Sequence, residues 1–164
     1  MLVVKYSHEQ YQFFVNDFLT RYFISTGQQI TLVIRSSLIV KLWGADLTGI
    51  VQLIKNQYSC TNRGAPPKDA VAMFRSLILM TLKGETSISK WVDTLKSEPF
   101  YAILSGFLPA CFSSVKVDNI PADPIPGVGT FYDFMDRLIR KDRILYKSKL
   151  RKFKRKPKKK QKKN

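Results

Sequence analysis

The stretch Lys68–Leu95, KDAVAMFRSLILMTLKGETSISKWVDTL, carries the clearest structural pattern in the chain. Its first half, Lys68–Lys83, is apolar almost all round, which is typical of a central, fully packed helix. Lys83-Gly84-Glu85 then breaks the pattern, and Thr86 and Ser87 open a shorter helix. In this second helix a single inward stripe recurs at helical spacing, formed by Ile88, Trp91, Val92 and Leu95. The stretch therefore predicts two antiparallel helices joined by a short break.

Helical patterns also precede this stretch. Ser7 and Gln10 have the spacing of a capping box, so we expect a first helix at about 8–24, closed by Gly27. Residues Thr31–Leu42 fit a helix or a strand on pattern alone, because they are rich in β-branched side chains. A further helix is expected at about 45–57, and Pro66 and Pro67 suit the entry to the next one.

Two apolar segments, Thr31–Trp43 and Ala70–Leu82, are shorter than the roughly 20 residues that a membrane span needs. Charged residues also interrupt them, at Arg35, Lys41 and Arg75. We therefore expect both segments to be buried helices of a soluble protein, with the cytoplasm as its default location.

Downstream, Pro99 restarts the chain into a short helix at Phe100–Leu104. The proline-rich stretch Pro109–Gly129 has no periodicity and predicts a long loop. Thr130 is expected to cap a last helix, Thr130–Leu145, that turns Phe131, Phe134, Leu138 and Ile139 inward. The fold class that follows is mostly α, a bundle of five to seven helices containing a helix-turn-helix-like unit. Three parts are expected: N-terminal helices at 1–58, a second helical domain at 59–146 and a disordered basic tail at 147–164.

Charge is distributed very unevenly along the chain. Residues 137–164 contain 16 Lys and Arg residues and one acid, Asp142, whereas residues 1–136 contain 12 basic and 11 acidic residues. A nearly neutral body is thus followed by a segment of net charge +15, whose natural partner is a polyanion. Nucleic acid is the leading interpretation; a polybasic membrane-surface patch and ribosome-like RNA contact are the alternatives.

Two helices could present basic side chains to DNA. The polar face of the second helix in the quoted stretch offers Lys90 and Lys96, although simple helix packing explains such a pair equally well. The last helix runs directly into the tail, and Asp136 and Asp142 could neutralise part of its charge. The candidate DNA-contacting residues are Lys90, Lys96, Arg137, Arg140, Lys141, Arg143, Lys147, Lys149, Arg151, Lys152, Lys154, Arg155 and Lys156.

Catalytic and cofactor chemistry has little support. His8 is the single histidine, and the two cysteines, Cys60 and Cys111, are best explained as small thiols of a reducing compartment. The carboxylates of Asp133 and Asp136 are best explained as helix-terminal groups and ion pairs. The sequence therefore predicts no catalytic residue, no metal site and no cofactor.

Several segments, taken in order, resemble the N-terminal domain of bacterial insertion-sequence transposases of the DDE type. They are Arg63–Asp69, the apolar helix after it, Lys83-Gly84 with Ser89-Lys90-Trp91, Phe100–Gly106, and Pro126–Phe134 with Arg137-Leu138. The resemblance covers roughly residues 60–146 and depends on the order and spacing of these segments.

The resemblance implies a role in DNA transposition. In that family this domain helps to bind the terminal inverted repeats of the mobile element, while a following RNase H-like domain holds the catalytic Asp, Asp and Glu. No residue of this chain matches that catalytic domain, so we expect the DNA-binding part of a truncated or split transposase, working with a separate catalytic portion or as a homo-oligomer. The alternative is a helical protein-interaction module with a basic tail that binds RNA or DNA without sequence preference.

Overall fold

The computed structural model describes residue 2 and residues 4–27, 33–58, 67–109 and 125–139. Within these ranges the chain is helical and has no β-strand, which confirms the predicted mostly α class. The predicted tail and most of the predicted 109–129 loop lie outside them. The helices are α1 His8–Thr26, α2 Ser36–Gly44, α3 Ile50–Ile54 with a 3-10 turn at Lys55–Gln57, α4 Ala70–Leu82, α5 Ile88–Ser97, α6 Pro99–Ser105 and α7 Val128–Ile139.

Local capping explains where α1 begins. The Ser7 hydroxyl accepts a hydrogen bond from the Gln10 amide, and the Gln10 side chain accepts one from the Ser7 amide. This reciprocal pair is the predicted capping box. The helix runs two residues further than expected and ends before Gly27.

The predicted helix at 45–57 is wrong in its first five residues. Asp46 accepts hydrogen bonds from both the amide and the hydroxyl of Thr48 and so stabilises a turn. Because this side chain offers the backbone an alternative to helical bonding, α3 begins only at Ile50.

A buried aspartate sets the start of α4. Asp69 is the N-cap and accepts hydrogen bonds from the amides of Val71 and Ala72, and its second oxygen accepts one from the amide of Lys5. The helix therefore begins at Ala70, and Pro67 precedes the cap instead of occupying the first helical position. The same carboxylate joins the N-terminal segment to α4.

The centre of the bundle is α6, not α4 as the sequence predicted. Every residue of α6 from Phe100 to Ser105 is buried, and the helix packs against α1, α2, α4 and α5. In contrast, α4 is buried mainly through its first ten residues, and Leu82 at its end is 44% exposed. Apolar composition all round the helix did not place α4 at the centre, because its C-terminal turn projects beyond its neighbours.

The last described helix starts earlier than predicted. It begins at Val128, and the Gly127 carbonyl accepts the amides of Thr130 and Phe131, so Thr130 lies inside α7 and does not cap it. Phe131 and Phe134 are buried as expected, whereas Ile139 is 56% exposed and was wrongly placed in the core.

Candidate nucleic-acid interface

Lys90 and Lys96 lie on the exposed side of α5, as the helical stripe predicts. Ile88, Trp91, Val92 and Leu95 form the buried side of this helix. Helix geometry places Lys90 opposite that stripe and Lys96 to one side of it, and both lysines are exposed, as are Ser89 and Asp93. The outer face of α5 can therefore contact a large ligand without any change in its packing.

The short break before α5 is held by its own polar groups. Gly84 has a φ of +75°, a backbone conformation that side chains disfavour and glycine adopts readily. The Glu85 carboxylate accepts hydrogen bonds from the amides of Thr86 and Ser87. The bond from Ser87 is the main reason that the pKa of Glu85 is lowered. Ser87 then caps α5 through the Lys90 amide.

One buried hydrogen bond joins α4 to α5 on either side of this break. The Trp91 indole nitrogen donates to the Ser76 hydroxyl at 2.9 Å, and both side chains are fully buried. Two helices and a tight turn are thus present, as predicted. Their use as a DNA-reading helix-turn-helix stays a prediction.

Arg137 is the one predicted DNA-contacting residue of the last helix that lies within the described residues. Its guanidinium carbon lies 4.8 Å from the centre of the Tyr58 ring, next to the 3-10 turn. Burial raises the pKa of Tyr58, and the nearby Arg137 charge offsets only part of that shift. Arg137 is half-buried, so it joins α7 to the 55–58 segment while part of its side chain stays accessible.

The helix that carries Arg137 packs directly against the helix that carries Lys90 and Lys96. The tertiary structure therefore brings together the two elements that the sequence singled out separately. The remaining candidates lie outside the described residues: Arg140, Lys141, Arg143, Lys147, Lys149, Arg151, Lys152, Lys154, Arg155 and Lys156.

A second group of cations was not foreseen from the sequence. Glu98, between α5 and α6, accepts hydrogen bonds from Arg35 at 3.0 Å and from Lys83 at 2.9 Å. Arg35 also lies 4.9 Å from the centre of the Phe100 ring, and both cations lie over Tyr101. Residues 35 and 98 are far apart in sequence, so no spacing rule could have paired them.

Arg75 is the most unusual charge in the body. It is 1% exposed, and its guanidinium carbon lies 3.4 Å from the centre of the Tyr11 ring. Its Nε and Nη2 atoms find no hydrogen-bond partner in the described part of the chain. Burial lowers the pKa of Arg75, and the nearby Tyr11, Asp69 and Asp46 act against that shift. The sequence suggested only a charge that interrupts an apolar run, whereas this arginine lies in the core.

The described residues offer neither a metal site nor a membrane-spanning helix. They contain no group of three or more His, Cys, Asp or Glu side chains placed to hold a metal ion. They also contain no helix with the length and apolarity needed to cross a membrane. Cys60 and Cys111 lie outside the residues that the structure describes.

Comparison with known proteins finds no matching family model, no matching curated protein and no matching solved structure. The functional interpretation therefore depends on the chemistry of the chain and on the packing of its helices.

Proposed function

We propose that this protein binds DNA as the recognition part of a transposase and contributes no catalytic residue of its own. The observation that carries the proposal is the charge distribution: 16 of the 28 Lys and Arg residues fall in 137–164, at the end of a body that is almost neutral. Such a segment supplies affinity for phosphates by releasing condensed counterions, whatever the base sequence.

The helical body would supply sequence preference. The exposed face of α5 carries Lys90 and Lys96, and α5 packs against α7, which leads into the basic segment. A duplex bound by that segment would thus be held close to the two helices with the best placed polar faces. The transposase assignment comes from the order and spacing of the sequence segments within residues 60–146 that resemble this family.

The test is binding of the full chain, and of a chain ending at Tyr146, to terminal-repeat and scrambled duplexes over a salt series. The proposal expects a preference for the repeat that survives removal of residues 147–164, together with a general loss of affinity. Equal binding to both duplexes, lost with the segment, would contradict DNA recognition by the body.

Single substitutions locate the recognition surface. Lys90→Gln and Lys96→Gln should weaken binding to the repeat, whereas Lys41→Gln, an equally exposed cation on α2, should leave it unchanged. If Lys90→Gln and Lys96→Gln weaken binding to both duplexes alike while Lys41→Gln does not, α5 contacts phosphates without reading sequence.

The alternative function is a helical protein-interaction module whose basic segment binds nucleic acid without preference. One observation favours it: large apolar side chains on α1 and around α2 are exposed, although the segment Thr31–Trp43 was expected to be a buried helix. A partner surface of this kind is compatible with DNA binding through α5 and α7.

A further inference from the structure

The α1–α2 pair exposes several large apolar side chains, although Thr31–Trp43 was expected to be a buried helix. Of the apolar segment Thr31–Trp43, the described part buries only Leu42 fully. Six large apolar side chains of the pair and of the helical residues just before Arg35 are exposed by 41–77%: Phe13, Ile24, Val33, Ile34, Val40 and Trp43. This set is called the α1–α2 face below.

The two helices run antiparallel. The Gln12 side chain, near the start of α1, donates to the Trp43 carbonyl at the end of α2 at 3.0 Å. Phe13 is therefore at the same end of the pair as Val40 and Trp43, and Ile24 is at the end where Val33 and Ile34 lie. On α1, Phe13, Thr20 and Ile24 recur at intervals that place them on one side of the helix.

The α1–α2 face has almost no net charge. α1 carries Glu9, Asp17 and Arg21, and Asp17 and Arg21 pair with each other at 3.0 Å. α2 adds Lys41, so the four charges cancel. Arg35, just before α2, bonds to Glu98. A nucleic acid needs cations on the surface that it contacts, and this face offers none in excess.

The size of the face matches one side of a protein–protein interface. With about 100 Å² for a fully exposed aliphatic side chain and about 200 Å² for an aromatic one, the exposed fractions add up to roughly 500 Å². One side of a standard interface buries about 800 Å², of which a little over half, or about 450 Å², is apolar. Phe13 and Trp43 also supply the aromatic side chains that commonly dominate binding energy.

We infer that the α1–α2 face is the contact surface of a homodimer. A second copy presents the same uncharged apolar face, and a two-fold axis through the pair would bury both faces at once. The contacts of α7 are with α3, α4 and α5, whereas those of α2 are with α1 and α6. The dimer contact therefore leaves the α5 and α7 surface of each copy available.

The experiment measures the mass of the full chain in solution by sedimentation equilibrium at tens of micromolar. High salt and prior nuclease treatment keep nucleic acid off the basic segment. The native chain should be a dimer. Val40→Glu should raise the dimer dissociation constant at least tenfold, because it adds one negative charge to each copy and buries that unpaired carboxylate in the contact.

The matched control is Leu53→Glu, since Leu53 is 61% exposed on α3, away from the α1–α2 face. It should stay dimeric. A native chain that is monomeric throughout this concentration range overturns the inference, as does a Val40→Glu chain that dimerises like the native one. Equal disruption by both variants also overturns it.

Circular dichroism checks that the variants fold. If Val40→Glu loses helix content, Phe13→Ser replaces it, because Phe13 is 77% exposed and can be shortened without opening a cavity. Monomeric, folded Phe13→Ser beside dimeric native chain supports the inference, and dimeric Phe13→Ser overturns it. DNA binding is measured separately, so failure of the dimer and failure of the proposed function are distinguishable.

Discussion

Gly106 follows the end of α6 and adopts a left-handed backbone conformation next to Ala72 and Tyr11. Gly106 has a φ of +102°, and a Cβ added there would lie 3.5 Å from the Ala72 Cβ and 3.8 Å from the Tyr11 ring. The Tyr11 hydroxyl donates to the Leu104 carbonyl at 2.7 Å. A methyl group at position 106 would therefore make ordinary contacts with its neighbours, and the unfavourable element is the backbone conformation.

Gly106→Ala should lower the free energy of unfolding by about 1–3 kcal/mol, because the native φ strains any L side chain. The matched control is Gly49→Ala. Gly49 has a φ of −57° and open space around it, so alanine there should leave stability unchanged or raise it slightly. Urea unfolding measures both. Equal effects of the two substitutions would contradict the attribution of the stability loss to the positive φ of Gly106.

Two carboxylates should influence stability in opposite directions as pH changes. Burial raises the pKa of Asp69, despite hydrogen bonds from the Lys5, Val71 and Ala72 amides that lower it. Burial acts in the same direction on Glu98, but the hydrogen bonds and charges of Lys83 and Arg35 outweigh it and hold the pKa below its usual value.

The sign follows from the linkage between proton binding and folding. A raised folded-state pKa stabilises below the unfolded value of about 3.9, and the contribution is lost as pH rises through the folded value. The unfolding free energy of the native chain, relative to Asp69→Asn, should therefore increase as pH falls from neutral toward 4. The advantage of the native chain over Glu98→Gln in unfolding free energy should decrease as pH falls below about 4.3, and it should disappear at lower pH. Parallel pH trends for the two comparisons would contradict both assignments.

At the scale of elements, α4, α5 and α6 are held together by one indole. Trp91 is fully buried, bonds to Ser76 on α4 and meets the Tyr101 ring edge-on, with 5.6 Å between ring centres. α5 has few other polar links to the body, because its hydrogen-bonding side chains are mostly on the exposed side. The position of the candidate DNA-binding face therefore depends strongly on this side chain.

Trp91→Phe should lower the free energy of unfolding by about 2–4 kcal/mol, since it leaves a cavity and a buried Ser76 hydroxyl without its donor. Tyr132→Phe is the control: Tyr132 is 56% exposed on α7, outside the α1–α2 face, and the substitution removes only its hydroxyl group. It should change stability by less than about 0.5 kcal/mol. Chemical denaturation followed by far-ultraviolet circular dichroism makes the comparison.

At the scale of the whole molecule, the chain divides its proposed tasks between regions. Apolar side chains from α1, α4, α5, α6 and α7 form one core, while net charge is concentrated beyond residue 136. The body can therefore fold without the repulsion that a charge of +16 would cause if it were spread over the core elements.

The salt dependence of DNA binding should reflect the concentration of positive charge in the basic segment. If the basic segment engages about 6–8 phosphates, the logarithm of the binding constant should fall with a slope of about −6 against the logarithm of salt concentration. Replacing Lys154, Arg155 and Lys156 by glutamine should reduce the slope by about 3 and leave the preference between duplexes unchanged. An unchanged slope would show that these three residues do not contact phosphates.

Local patterns predicted most of the helices because their causes are local. Ser7 and Gln10, or Ser87 and the stripe from Ile88 to Leu95, act within a few residues of one another. Charge asymmetry is likewise a property of composition. The starts of α3 and α7 were missed because the Asp46 turn and the Gly127 carbonyl compete with simple periodicity.

Tertiary packing alone placed α6 at the centre, exposed the α1–α2 face and buried Arg75. Helical periodicity shows which side of a helix is apolar, but it does not show which neighbour covers that side. The pairs Arg35–Glu98, Tyr58–Arg137 and Tyr11–Arg75 join residues more than 60 positions apart. They form only when the chain has folded, because only then do distant helices come within contact distance.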